Sequence, residues 1–246
     1  MRAKDGAMKP LGRKAYGSIG HLPHSRMGPG DHAVSPGVAR ICCDRPRDRH
    51  DIIIVQEKLD GSCCAVALVN GDILALGRAG WPAESSSYEQ HRMFAHWVRQ
   101  HEERFRYVLR EGERLVGEWL AQAHSTRYEL RHDPFVAFDL MVEATRLPFA
   151  EFSDRISETL PTPELVNIGM PLPVDDAMRH VQEKNAHGAI DPIEGVVYRV
   201  ERHGQVDFLA KYVRPEKRDG IYLPEISGQP AVWNWKAWEP KSGQGI

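Results

Sequence analysis

Short apolar runs, one long amphipathic stretch and two glycine-marked turns set the pattern of this chain. Ile52-Ile53-Ile54-Val55 is a β-branched run that reads as a strand. After Lys58 comes Cys64 to Val69, then Asn70-Gly71, then Ile73 to Leu76. Asn-Gly between apolar runs predicts a hairpin, because both positions tolerate positive φ. Between Glu84 and Leu109 the period changes: Phe94, Trp97, Val98, His101, Phe105, Val108 and Leu109 recur at three- and four-residue spacing and predict one helix with its stripe on the core. Leu115 to Leu120 and Phe135 to Val142 read as strands, and Asp175 to Lys184 as a short helix in a proline-punctuated middle. Ile193 to Val200, a turn at His203-Gly204, and Val206 to Val213 form a closing hairpin. Strands thus outnumber helices without βαβ alternation, which predicts an α+β fold.

The first fifty residues are rich in Gly, Pro, His and Arg and read as an irregular arm, residues 1–50, packed on a main domain at 51–222. Residues 223–246 form a short Trp-rich tail, in which Trp233, Trp235 and Trp238 either dock on the domain or offer a base-stacking surface. The arm from His21 to His32 is open to the same two readings, structural wrap or contact with nucleic acid. With 32 basic against 34 acidic residues in 246, the net charge of −2 gives no global polycation. Any basic surface must be local. No run of about 18 apolar residues appears, so no membrane span is expected. The N-terminus lacks the apolar core of a signal peptide, which suits a cytoplasmic protein. Cys42-Cys43 and Cys63-Cys64 are vicinal pairs, not zinc spacing. They read as reduced structural thiols, each pair divided between core and surface.

Charges inside the apolar runs change the picture. Lys58, Glu118, Asp139, Glu194 and Lys211 each interrupt a predicted strand or its end. A single buried charge of this kind is usually an internal ion pair, since its desolvation must be offset. Several of both signs suggest a shared pocket. Lysines, an arginine and carboxylates together suit phosphoryl or nucleotidyl transfer, in which cations neutralise phosphate oxygens and carboxylates hold hydrated Mg²⁺ or ribose hydroxyls.

At these residues the chain resembles the lysine-nucleotidyltransferase superfamily of ATP-dependent RNA and DNA ligases and capping enzymes, and is most similar to the phage branch that seals nicks in duplex RNA. The likeness covers about residues 14 to 220 and rests on six motifs in order. Glu57-Lys58-Leu59-Asp60-Gly61 resembles motif I, whose lysine takes the nucleotide. Gly77-Arg78 resembles the next, with an arginine on the ribose and phosphate side. Gly117-Glu118-Trp119 is similar to the motif whose glutamate binds ribose hydroxyls. Phe135 to Asp139 is similar to the strand whose second phenylalanine, here Phe138, stacks on adenine. Ile193-Glu194-Gly195 resembles motif IV, with its glutamate by the metal, and Leu209-Ala-Lys211 resembles motif V. The entry Lys14-Ala-Tyr16-Gly-Ser18-Ile19 is similar to a segment that precedes the domain in this branch.

The resemblance implies an antiparallel-sheet nucleotidyltransferase domain, ATP-grasp-like, with flanking helices. It implies Lys58, Glu194 and Lys211 as catalytic groups. It places Glu57, Lys58, Arg78, Glu118, Phe138, Glu194 and Lys211 around ATP, and Glu194 on Mg²⁺ or Mn²⁺. Glu57 is either an acceptor for the adenine amino group or an exposed strand end. Nearby cations, Mg²⁺ and Lys211, are expected to lower the Lys58 pKa from its ordinary value of about 10.4. The implied partners are RNA ends or nicked duplex RNA, with a separate RNA-repair protein as a further candidate. Motif V commonly carries two lysines; here the second cation would be Arg214 or Lys217. Only about thirty residues follow motif V, too few for an OB-fold. Two other readings remain: a minimal DNA ligase, and a binding protein of the same fold without turnover.

Overall fold

The computed structural model describes residues 8–235. In chain order the elements are β1 (Gly20–His21), α1 (Pro36–Cys43), β2 (Asp51–Lys58), β3 (Ser62–Val69), β4 (Asp72–Gly77), α2 (Glu89–Gln100), α3 (Glu102–Val108), β5 (Glu113–Trp119), β6 (Phe135–Val142), β7 (Thr145–Arg146), α4 (Phe149–Ile156), β8 (Leu165–Gly169), α5 (Val174–Lys184), β9 (Gly195–Arg202), β10 (Gln205–Val213) and α6 (Pro224–Ser227). They build two five-stranded sheets, ordered β1-β10-β9-β2-β8 and β4-β3-β5-β6-β7. Among these strands the pairings are antiparallel apart from the short parallel contact of β1 with β10. The expected α+β class and antiparallel sheets are what the chain forms.

Strand alternation decides what each sheet buries and what it presents. On the first sheet Ile53, Val55, Val196, Tyr198, Val200 and Ala210 point one way, into a core closed by α1 and α5. On the second, Cys64, Val66, Leu115, Trp119, Phe135 and Leu140 point into a core shared with α2, α3 and α4. The opposite faces carry the out-of-place charges. They look onto a common cleft, lined by Lys58 and Arg199 from one sheet and Glu118 and Asp139 from the other.

Both predicted hairpin turns form, with positive φ at Asn70 and Gly71 and again at His203 and Gly204. The single helix predicted over 84–109 does not. A 3₁₀ turn at Ala83–Ser85 precedes α2, and the helix breaks at His101 before α3 begins. Side chains explain both interruptions. Ser86 Oγ accepts the Tyr88 amide at 3.2 Å, and His101 Nδ1 reaches the Trp97 carbonyl at 2.8 Å while its ring stacks on Trp97. Polar groups that bond the local backbone compete with helical continuation. The arm is less irregular than expected, since α1 lies within it, capped by Ser35 Oγ on the Val38 amide and opened by Pro36. Cys42 and Cys43 therefore end a helix rather than a strand; Cys42 is buried and Cys43 half-buried. In the tail, Trp233 and Trp235 pack on the second sheet's core, and Trp235 lies 5.9 Å from Trp119. The docked reading holds for those two indoles; Trp238 falls outside the described residues. Among the described residues no helix is long and apolar enough to cross a membrane.

Candidate active site

The cleft between the sheets has a volume of about 1040 Å³. Lys58 ends β2, and its Nζ lies 2.7 Å from Glu194 Oε2, just before β9. The two come together because Lys58 pairs with Gly195 across the strands. A Cβ on Gly195 would sit 1.9 Å from the Tyr212 carbonyl oxygen, so only glycine lets β10 pass this close beside Glu194. Lys217 follows β10 and completes the cluster. Its Nζ bonds Glu194 Oε1 at 2.5 Å and Asp60 Oδ1 at 2.8 Å. Asp60 in turn accepts the Ser125 and Thr126 amides at 2.6 and 2.8 Å. Of the two candidates for a second cation beside Lys211, Lys217 is the one at Glu194. Arg214 is turned to the Ile193 carbonyl.

The other predicted residues line the same cleft, with one qualification. Glu118 accepts the Gly61 amide on Oε1 at 3.1 Å, which ties β5 to the turn beyond Lys58. Arg78 is exposed and donates to the Gly17 carbonyl at 3.0 Å. Lys211 faces the cleft 3.7 Å from Asp31 of the arm. Phe138 sits at a bulge. Val116 pairs with Asp139 and Gly117 with Ala137, so the extra residue puts both Phe138 and Asp139 on the cleft side. Asp139 accepts the Tyr16 hydroxyl at 2.5 Å and Arg146 at 3.1 Å, and pairs with buried Arg199 of the opposite sheet. It ties the arm and both sheets together beneath Phe138. Glu57 differs. It shares the face of Ile53 and Val55, and both its carboxylate oxygens are buried without a hydrogen bond. It is among the residues lining the cleft, yet its carboxylate lies 3.8 Å from His187 Nε2. Neither sequence reading of Glu57, base-edge acceptor or exposed strand end, describes that placement. Strand alternation from Lys58 could have found it.

The sequence profile of the RNA ligase family matches residues 51–213, which include Lys58, Arg78, Glu118, Phe138, Glu194 and Lys211. The chain belongs to the RNA ligase family. Among solved structures, a Naegleria gruberi RNA ligase variant with AMP and Mn is 16% identical at a TM-score of 0.50, covering 79% of this chain and 59% of its own. That likeness is one of fold. An archaeal ATP-dependent RNA ligase is 18% identical, with a TM-score of 0.48 over 80% of this chain and 48% of that one. A putative ATP-dependent DNA ligase from Aquifex aeolicus is 16% identical, with a TM-score of 0.48 over 80% of this chain and 49% of that one. The chain thus spans about half the length of the archaeal and Aquifex proteins. No curated protein matches it.

In this RNA ligase family member, electrostatics at the cleft follow burial and pairing. Burial pulls the Lys58 ammonium toward losing its proton. The Glu194 and Glu118 carboxylates outweigh burial and the opposing Lys217 charge, so the pKa stands above lysine's ordinary value. Neighbouring cations were expected to lower it. They are present, but a carboxylate lies closer. Burial pushes Glu118 up to about 7 despite the Lys58 charge. Burial, then the Lys58 charge, lowers Lys211.

Burial, with Glu164 second, pushes Glu57 up to about 8. Behind it His187 Nδ1 meets His132 Nε2 at 2.8 Å, and His132 Nδ1 meets the Asp133 carbonyl at 2.7 Å. The carbonyl can only accept, so His132 Nδ1 donates to it and His132 Nε2 accepts from His187 Nδ1. The folded protein binds the Glu57 proton more tightly than the unfolded chain does. Stability should therefore fall as pH rises from about 4.5 to about 8, since the unfolded chain ionises first. Glu57→Gln removes that loss. Its melting temperature, measured against the parent's, is expected to match near pH 5 and to exceed it by several degrees near pH 8.5. An equal offset at both pH values would show that Glu57 ionises normally.

Proposed function

We propose that this protein is an ATP-dependent RNA ligase that joins 5′-phosphate and 3′-hydroxyl RNA ends through a covalent lysyl-AMP, in repair of broken RNA. One observation carries the reading: a lysine amine stands in a two-sheet cleft with Glu194 and Glu118, and Arg78, Lys211 and Lys217 lie on the same walls. Lys58 Nζ, once neutral, attacks the α-phosphorus of ATP. The N–P bond forms, the bond to pyrophosphate breaks, and the amine proton leaves through Glu194, 2.7 Å away. The adenylate then passes to a 5′-phosphate, and a 3′-hydroxyl displaces AMP. Phe138 stacks on the base, Glu118 takes the ribose hydroxyls, and Arg78 and Lys211 meet phosphate oxygens.

The cleft suits a hard divalent cation. Among the described residues no group donates to the second oxygen of Glu118, which leaves a carboxylate acceptor of the kind such an ion or its waters take. Glu194 would hold Mg²⁺ or Mn²⁺, which supplies charge neutralisation at the transferred phosphate. No cluster of three metal-ligating side chains occurs among the described residues, so any such ion would complete its shell with water and phosphate oxygens.

The test is the intact mass of the protein after incubation with ATP and Mg²⁺, followed by sealing assays on matched RNA and DNA nicks. A gain of one adenylate and preferential sealing of RNA are expected. Strong preference for the DNA nick would make the protein a minimal DNA ligase. No adduct, with ATP binding retained, would leave a binding protein of this fold.

A further inference from the structure

Beyond Lys58 the cleft continues along a wall that includes His124, Ser125, Gly220 and Leu223, which the steps above leave unused. At about 1040 Å³ the cleft lies at the upper end of the roughly 300–1000 Å³ usual for one small ligand. His124 lies in the connection between β5 and β6, and its backbone is fixed on three sides. The two following amides, of Ser125 and Thr126, both donate to Asp60. The His124 carbonyl accepts the Tyr222 amide at 2.9 Å. Ser125 Oγ accepts the Gly220 amide at 2.8 Å. The loop that carries the imidazole is thereby tied through Asp60 to Lys217 and Glu194.

Its ring orientation is also determined. Nε2 lies 3.0 Å from Oε1 of Gln90, a buried residue of α2. An amide oxygen only accepts, so Nε2 carries the proton and Nδ1 the lone pair. Among the described residues nothing hydrogen-bonds Nδ1. By contrast, neighbouring His91 has both nitrogens occupied, by Ser62 and Ser86 at 2.7 and 2.8 Å.

We propose that His124 Nδ1 accepts the proton of the attacking 3′-hydroxyl in the sealing step, with Gln90 as the positioning residue that fixes its tautomer. This rests on the ligase reading above. The 3′ oxygen forms a bond to the phosphorus of the adenylylated 5′ end, the bond from that phosphorus to AMP breaks with the electron pair leaving on AMP, and the hydroxyl proton passes to Nδ1. The groups facing the ring agree with a base at neutral pH. Burial lowers its pKa first; Asp60, Glu194 and Glu225 raise it, and Lys217 lowers it, with a net shift below the ordinary imidazole value. His91 adds a further imidazole nearby.

A pre-adenylylated RNA strand, supplied with a 3′-hydroxyl acceptor and no ATP, isolates this step from Lys58 chemistry. The parent is expected to seal it at a rate that rises with pH and levels off before neutrality. His124→Gln is expected to lower that rate by about a hundredfold or more and to flatten the pH profile. Gln90→Leu is expected to give a smaller loss with the pH dependence kept. Adduct formation from ATP is measured on the same samples. Sealing by His124→Gln at the parent rate and pH profile would overturn the role of His124. Equal loss of adduct formation and sealing would overturn it too, because the residue would then not act in sealing alone. A parent that forms no adduct and seals no pre-adenylylated end would instead sink the ligase reading.

Discussion

Lys58→Ala is expected to carry no covalent adenylate after exposure to ATP and Mg²⁺, and to lose at least about a thousandfold in sealing of nicked RNA. Among the described residues the two other lysines of the cleft each have an acid beside them. Lys217 is buried between Asp60 and Glu194, and Lys211 lies on β10 beside Asp31. The structural cost should be small by comparison. Lys58 is partly exposed, with 21% of its side chain accessible, and Glu194 keeps its bond to Lys217 when Lys58 is gone. Melting temperature should therefore shift little while the adduct disappears. Lys58→Arg separates charge from nucleophilicity, since a guanidinium stays protonated throughout the working range. It should keep the ion pair with Glu194 and still form no adduct. Intact mass reads the adduct, a gel reads sealing, and thermal melting reads the fold. An unchanged adenylate yield in Lys58→Ala would place the nucleophile at another residue.

The cleft's chemistry was more legible than its frame, and the reason is local. Lys58, Glu118 and Glu194 stand out because a charge inside or beside an apolar run must be satisfied somewhere, and glycine at 61 and 195 marks close backbone approach on either side. Both hairpins were readable because their turn residues need positive φ. What escaped depends on contacts distant in sequence. β8 is an edge strand recognised only through its pairing with β2, and the break at His101 turns on a ring that stacks within the helix. The bulge at Phe138 exists only because β5 meets β6 out of step, so no periodicity in either strand reveals it. Lys217 was one of two candidates and needed the β9–β10 hairpin to bring it back to Glu194. The helix at Pro36 is a different case, since Ser35-Pro36 is a cap and first-turn signal that composition alone obscured.

Lys217→Met should produce a large loss of stability. The ammonium is the shared partner of two buried carboxylates, Asp60 and Glu194, and lies 3.7 Å from Asp219. Methionine fills similar space but leaves both carboxylates short of countercharge, a change that typically costs about 3–5 kcal/mol. Asp60 retains its two backbone amides, and Glu194 retains Lys58, which places the expected loss toward the lower end of that range. For a chain of this size that corresponds to a fall of roughly 6–12 °C in melting temperature. Lys217→Arg, which keeps the charge, should recover much of it. The second consequence is chemical. The Lys217 charge opposes protonation of Lys58, so its removal leaves Glu194 and Glu118 to hold that proton more firmly. Adenylylation by Lys217→Met should then need a higher pH than in the parent, the rate curve moving alkaline rather than merely downward. A variant with the parent's melting temperature and an unshifted pH–rate curve would show that Lys217 neither compensates the buried acids nor tunes the nucleophile.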